Sequence, residues 1–302
     1  MQKLVFLDAG HDSPGVVITG GSKGLGFALA QEFLAKGARV SICGRDEGRL
    51  VSASEALQRL HPQGSISFMT CDVSEPQNVA RFADFSAEAL QGNIRYWINN
   101  AGEVTSKRIL TEVEPDEIVR ASSTNVIGSI LCCREAMRIM MQQSPSNFPV
   151  YHIFNMGFSR WGAKFTKSAC THKATKIALS QLTVSLNEEM KAAGITSIGV
   201  HNLSPGMVLT DLLLKDSTPL SRRFFNVLAE EPDTVAAALA PYILDVQGSG
   251  SSIEYLSPVT AFGRILVGFP QIFKGGRFFD EKGNRVQVDG YLYQDNGVRV
   301  LY

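Results

Sequence analysis

From Val16 onward, short apolar runs alternate with longer stretches whose apolar residues recur every three or four positions. The run "GVVITG" is short and uniformly apolar, the pattern of a strand buried on both faces. It leads through glycines into "GFALAQEFLAKGA", whose spacing predicts a helix ending near Gly37. "RVSICG", "SISFMTCDV" and "IRYWINNAG" repeat the strand pattern, and "PVYHIFNM" and "ITSIGVHNLSPG" continue it after two long helical segments. Strands alternating with helices predict a parallel sheet covered on both faces, a doubly wound α/β fold. In such a sheet ligands sit beyond the carboxyl ends of the strands.

The pattern changes near Gly248, where "GSGSS" precedes "TAFGRILVGFPQIFKGGRFF" and a polar, glycine-containing end. The expected organisation is one domain over 1–247, including a substrate lid at about 205–235, with a C-terminal appendage over 248–302 packed on or beside it. The appendage reads either as a tail covering the sheet edge, or as a membrane- or partner-contacting segment with Phe262, Ile265, Leu266, Phe269 and Phe273 exposed.

At 302 residues, with 44% hydrophobic and 19% charged residues, the chain can fold around a substantial core. Lysine plus arginine and aspartate plus glutamate number 29 each, which argues against a nucleic-acid partner held by net charge. The five cysteines form no CxxC pair, so a reducing compartment fits better than a disulfide framework. The histidines lack zinc-ligand spacing, and no metal is expected. The opening "MQKLVFLDAGHDSPG" has too short an apolar run for a signal peptide and little of a transit peptide's composition. No uninterrupted apolar run is long enough to span a membrane.

Candidate chemistry begins at "VVITGGSKGLGFALA". Thr19, Gly20, Ser22, Lys23, Gly24, Leu25 and Gly26 stand between a strand and a helix, where glycines let a backbone approach a pyrophosphate and the helix N-terminus offers N–H groups to it. The second strand of an NAD site ends in an acid for the ribose 2′-hydroxyl; here "SICGRD" has Gly44 at that place, followed by Arg45. Arg45 and Lys23 without a carboxylate suit a 2′-phosphate, so NADP(H) is the expected cofactor of this Rossmann-type fold. Asp46 pairing with Arg45 at the surface is the plainer alternative.

These segments resemble the short-chain dehydrogenase/reductase family over roughly Val16 to Asp211. The resemblance implies that Asp72 and Val73 of "CDV" meet the adenine ring, and that "NNAG", with Asn100, Ala101 and Gly102, lines the cofactor cleft. It implies that Asn125 of "STNVIGS" holds a proton-relay water, and that Pro205, Gly206, Val208 and Thr210 of "SPGMVLTD" grip the nicotinamide carboxamide. In that family a serine orients the substrate carbonyl, a tyrosine protonates it, and a lysine binds the nicotinamide ribose and lowers the tyrosine's pKa. Lys176 of "CTHKATKIAL" matches the lysine, and Ser159, thirteen residues before His172, is the candidate serine. "NMGFS" is one residue longer than the common pattern, which leaves open a displaced loop hydroxyl.

The tyrosine's place is taken by His172. An imidazole starting near ~6.5 is driven lower by the Lys176 charge and is mostly neutral, so it gives up its proton poorly. Loss of general-acid help costs ~10²–10⁴-fold in rate. Three readings stand: a substituted catalytic acid, a proton drawn from elsewhere, or a catalytically impaired NADP(H)-binding homologue serving as a partner subunit or regulator.

A narrower likeness, in "YHIFNMG", "VHNLSPGMVLTDLLL" and "RFFNVLAEEPDTVAAALAPYI", is to chlorophyll(ide) b reductases. It implies reduction of a tetrapyrrole's formyl group, a role in chlorophyll catabolism and a chloroplast setting; without it, a cytoplasmic one. Leu212, Leu213, Leu214, Phe224 and Phe225 would then line an apolar lid, or else be the buried face of lid helices. Arg222 and Arg223 would meet a propionate or lipid headgroup, or lie in solvent. "EEPD", residues 230–233, reads as a helix start. The expected partners are a small-molecule substrate, peripheral membrane contact, and a homo- or hetero-oligomer.

Overall fold

The structure, a computed structural model, describes residues 13–159 and 168–302. Residues 1–12, read above for a targeting signal, lie outside the described residues, as do 160–167.

The expected strands form: β1 (Gly15–Thr19), β2 (Arg39–Gly44), β3 (Ile66–Thr70), β4 (Ile94–Asn99), β5 (Tyr151–Met156) and β6 (Ile198–Ser204). Two-residue strands β7 (Met207–Val208) and β8 (Ala229–Glu230) pair separately, and β9 (Ser252–Glu254) returns to the main sheet. The order is β3-β2-β1-β4-β5-β6-β9, with every neighbour parallel. The chain reverses direction across the sheet between β1 and β4, and the crevice there is the expected ligand site of a doubly wound fold.

Ten helices are described: α1 (Gly24–Ala35), α2 (Glu47–Leu60), α3 (Pro76–Ala89), α4 (Pro115–Ser122), α5 (Gly128–Met140), α6 (Cys170–Ala192), α7 (Asp211–Leu214), α8 (Pro219–Leu228), α9 (Pro232–Leu244) and α10 (Pro258–Lys274). Successive strand residues point to opposite faces, so the apolar runs divide between two cores. Val16, Ile18, Val40, Ile42 and Ile98 pack with α1, α2 and α9, whereas Val17, Cys43 and Trp97 face α3 and α5. A buried polar chain ties α6 to the strand ends. Trp97 Nε1 donates to Asn99 Oδ1 (2.9 Å), Asn99 Nδ2 to Asn155 Oδ1 (2.9 Å), and Asn155 Nδ2 to Thr183 Oγ1 (3.2 Å).

Segment 248–302 contributes β9 to the sheet edge, then α10, which runs along α8 with Gly268 seated against Val227. Phe278, Phe279 and Val298 join Leu209, Leu214, Phe225 and Ala229 in a third apolar cluster. Arg277 pairs with Glu230 (2.7 Å), Arg285 with Glu231, and Arg299 with Asp233 (2.6 Å). The segment packs on the domain along part of its length, and nothing in the structure shows a membrane or partner against the rest. It closes a sheet edge, while Phe262, Leu266, Phe269 and Phe273 remain more than half exposed on the outer side of α10.

A buried histidine pair gives the fold a pH limit. Ser251 N–H donates to His201 Nδ1 (3.3 Å), so that ring carries its proton on Nε2 and donates it to His152 Nδ1 (3.0 Å). A further proton on His152 Nδ1 would set donor against donor. Burial, reinforced by Arg95, lowers His152 to about 4; burial, reinforced by His152, lowers His201 to about 3. An unfolded chain would titrate both near ~6.5 and so bind more protons than the folded one below that value. Stability from the pair is complete above about pH 6.5 and is lost as pH falls toward 4 and 3. The melting temperature should fall steadily across this window. The slope should be shallower in His201→Gln, and an unchanged slope would exclude the pair as its source.

Candidate active site

The glycine turn is built by close backbone approach. Gly20 and Gly24 have φ of 67° and 54°, a region unfavourable to residues with a Cβ. At Gly26 a Cβ would fall 2.2 Å from the Gly20 carbonyl oxygen, so only glycine lets α1 start this near β1. Thr19 Oγ1 accepts from the N–H groups of Asn100 (3.1 Å) and Ala101 (3.0 Å), while Asn100 Nδ2 donates to the carbonyls of Thr19 (2.9 Å) and Gly20 (3.0 Å). These bonds fasten the turn to the end of β4. No side chain caps α1, and the N–H groups of Lys23, Gly24, Leu25 and Gly26 find no acceptor among the described residues. Such a cradle fits a diphosphate.

Val73 packs over Gly128 and lines one crevice with Thr19, Ala101 and Thr124. Asp72 Oδ1 accepts from Ser74 N–H (3.0 Å) and Oγ–H (2.7 Å), holding the turn after β3. The loop carrying Pro205, Gly206, Val208 and Thr210 comes up to the glycine turn: a Cβ on Gly24 would stand 3.0 Å from Thr210 Cγ2. A hollow of about 610 Å³ elsewhere, along Thr183, Val184 and Asn187 of α6, contains none of these residues.

The two cations expected near a 2′-phosphate are both paired. Lys23 is bonded to Asp211 at the start of α7, and exposed Arg45 faces Glu103 at 3.7 Å. Asp46 does not partner Arg45. It caps α2, accepting from Arg49 N–H (2.9 Å) and Nη2 (2.7 Å).

Asn125 lies in a π-helical turn, Ser123–Ile127, between α4 and α5; such wide turns redirect a side chain out of the helical register. It is buried, donating to the Glu103 carbonyl (2.9 Å) and Thr175 Oγ1 (3.0 Å) and accepting from Glu103 N–H (2.8 Å). Asn125 Oδ1 and Lys176 Nζ flank one point: a Cβ on Gly102 would stand 3.4 Å and 3.6 Å from them. Burial lowers Lys176 to about 8. His172, one turn earlier on α6, lies edge-on to Phe158 with ring centres 5.8 Å apart, and its Nδ1 is buried without a hydrogen-bond partner. Burial first, then the Lys176 charge, lowers His172 to about 4, and among the described residues no carboxylate forms an ion pair with it. At neutral pH the cluster therefore holds a neutral imidazole beside a protonated lysine. Ser159 is buried just beyond β5, its N–H donating to Ser204 Oγ (3.3 Å).

A sequence model of the family described as short chain dehydrogenase matches residues 15–219. The chain belongs to the short chain dehydrogenase family. Among curated relatives, "Probable chlorophyll(ide) b reductase NYC1, chloroplastic" of Oryza sativa subsp. japonica is 37% identical over 287 residues, covering 90% of this chain but 55% of that protein. "Chlorophyll(ide) b reductase NOL, chloroplastic" of Arabidopsis thaliana is 37% identical over 274 residues, 87% of this chain and 74% of that protein. The crystal structure of levodione reductase has the same fold, with a TM-score of 0.67 at 21% identity over 80% of this chain and 96% of that one.

The lid differs from its simplest apolar reading. Leu214 and Phe225 turn into the third core cluster, whereas Phe224 is 43% exposed. Arg222 is not a free surface charge: it donates to Ser217 Oγ (2.9 Å) and to the Gly283 carbonyl (3.2 Å), pinning α8 to the C-terminal segment. "EEPD" does start α9, but Glu230 and Glu231 are buried anchors for arginines of that segment, a role with no local sequence signal. Glu103, immediately after "NNAG", and Thr175, next to Lys176, are further site residues that adjacency to the motifs would have found.

The turn's geometry is directly testable. Gly26→Ala should destabilise the protein by about 1–3 kcal/mol through overpacking. Gly48→Ala in α2, where a Cβ meets nothing closer than 3.6 Å, should be neutral or slightly stabilising. Urea midpoints for the two variants measure the difference.

Proposed function

We propose that the chain is an NADPH-dependent carbonyl reductase acting on the formyl group of a large apolar substrate, in the manner of the relatives named chlorophyll(ide) b reductases. The observation that carries this reading is the position of Lys176, Asn125 and His172 together, beyond the carboxyl end of β4 and beside an uncapped glycine turn. NADP(H) is favoured over NAD(H) because β2 ends at Gly44 and is followed by Arg45, with no acid at the strand end to meet a ribose 2′-hydroxyl. The cofactor-binding set is Thr19, Gly20, Ser22 to Gly26, Arg45, Asp72, Val73, Asn100 to Gly102, Lys176, Pro205, Gly206, Val208 and Thr210. Residues 1–247 would form this catalytic unit and 248–302 its extension. The chain spans about half the length of the NYC1 relatives, 55%, so the reading concerns the reductase part alone. A chloroplast setting rests on the relatives' printed names.

A nicotinamide cofactor held by these residues would supply the hydride. His172, neutral at working pH, has one N–H, which bonds the Glu103 backbone; transferred from there to the carbonyl oxygen of a substrate, it would stabilise charge as it develops. It is a poor source of the net proton, since its pKa lies near 4. Lys176, lowered to about 8, is the group of the cluster with a proton to give near neutrality, and it also holds the ribose in place. Asn125 keeps the Glu103 loop and Thr175 in register with that lysine. Ser159 would orient the carbonyl.

The test is NADPH-dependent conversion of chlorophyllide b, followed by absorbance. Wild type should turn over, and His172→Ala should lose about 10²–10³-fold in kcat, the cost of one oxyanion donor. The wild-type rate should fall as pH rises through about 8, where Lys176 loses its proton, with no rise near 4 attributable to an acidic imidazole. Absence of wild-type turnover together with activity in His172→Tyr would replace this reading with that of an impaired NADP(H)-binding homologue.

A further inference from the structure

The last residues of the chain lie on the glycine turn. Tyr302 Oη donates to the Ser22 carbonyl (2.5 Å), and its ring sits 4.6 Å from that of Phe27 in the first turn of α1. The same phenol is close enough to Asp46 and Arg49, at the start of α2, to feel both charges. Ser22 in turn faces the end of β2, its Oγ 3.3 Å from where a Gly44 Cβ would stand. Six residues earlier, Asn296 donates from Nδ2 to Asp211 Oδ1 (2.9 Å), while its Oδ1 accepts from Val298 N–H (2.9 Å). Asp211 is also the partner of Lys23. Two side chains of the C-terminal segment thus reach the turn, one through the Ser22 carbonyl and one through the Asp211–Lys23 pair.

We infer that segment 291–302 is part of the dinucleotide site, with Tyr302 and Asn296 as positioning residues for the glycine turn. This rests on the cofactor reading above. A trans peptide unit directs its C=O and N–H to opposite sides, so a donor on the Ser22 carbonyl fixes the Lys23 N–H pointing away from Tyr302. That N–H is one of the four without an acceptor. Holding it in one direction before binding removes an ordering cost that the cofactor would otherwise meet. Asn296 acts on the other arm: it orients Asp211, which holds the Lys23 ammonium. Through its bond to Ser22, whose Oγ lies near Gly44 at the end of β2, Tyr302 borders the region where a 2′-phosphate would lie.

Fluorescence titration with NADPH and NADH, at a temperature where every variant is fully folded, tests the inference. Tyr302→Ala and Asn296→Ala should each raise the NADPH Kd by about 3–10-fold, the range for loss of one hydrogen bond. Tyr302→Phe, which keeps the ring and loses the hydroxyl, should fall between wild type and Tyr302→Ala. In turnover the KM for NADPH should rise with kcat at saturating NADPH unchanged, a split that a general loss of folding would not give. Wild-type Kd values in all three variants would overturn the inference and leave the cofactor reading standing. A wild type that binds neither dinucleotide would overturn the cofactor reading, and this inference with it.

Discussion

The site depends on one close approach, that of the α1 backbone to the ends of β1 and β4. Gly26 lies so near the Gly20 carbonyl that no side chain fits between them, and Asn100 bridges the Thr19 and Gly20 carbonyls from the β4 side. This contact sets the direction of the unpaired N–H groups at the start of α1. It also places "NNAG" beside the turn, which brings Gly102, Asn125 and Lys176 to a common point. The loop of residues 205–210 meets the same turn at Gly24. The glycine turn, α6 and the loop of residues 205–210 therefore share one reference surface, and a displacement of α1 would move all of them.

Within that frame, the chemistry is decided by which charges are absent. Tyrosine beside a buried ammonium is brought toward neutrality and stays a usable acid; imidazole in the same field is pushed away from it. His172 receives no carboxylate support among the described residues, and its buried Nδ1 lacks a partner. A buried polar nitrogen left without a bond carries a desolvation penalty, which a substrate or cofactor polar group placed there would relieve. On the function proposed above, the replacement shifts the proton source toward Lys176 and leaves the imidazole a role in orienting charge.

The sheet was legible because buried parallel strands are both short and uniformly apolar, and because the glycine turn has a spacing with one steric meaning. Lys176 and His172 were legible through the likeness of "CTHKATKIAL" to the family's catalytic segment, and their four-residue interval places them on one helix face. The lid and tail were not. Arg45 was read as a 2′-phosphate cation, with Asp46 as the plainer partner; that acid caps α2 through Arg49, and Arg45 faces Glu103, distant in sequence. Glu230, Glu231 and Asp233 gave only a helix-start pattern, since their partners Arg277, Arg285 and Arg299 lie far along the chain. Helical and strand periodicity reports contacts within an element. It carries no information about which distant arginine will meet a given acid.

Those long-range pairs explain why the C-terminal segment acts as part of the domain. Arg285 and Glu231 are both largely buried, and removing one member of such a pair leaves an uncompensated charge that is far more costly than an exposed ion pair is helpful. The segment is therefore held as a unit. At its back, Glu230 binds Arg277 while its main chain accepts from Leu209 N–H (2.9 Å), next to Thr210, whose Cγ2 stands 3.0 Å from where a Gly24 Cβ would be. At its front, Asn296 and Tyr302 meet the turn through Asp211 and Ser22. The glycine turn is thus contacted both from the 205–210 loop and from the C-terminal segment, so its geometry depends on contacts far along the chain as well as on the glycine motif.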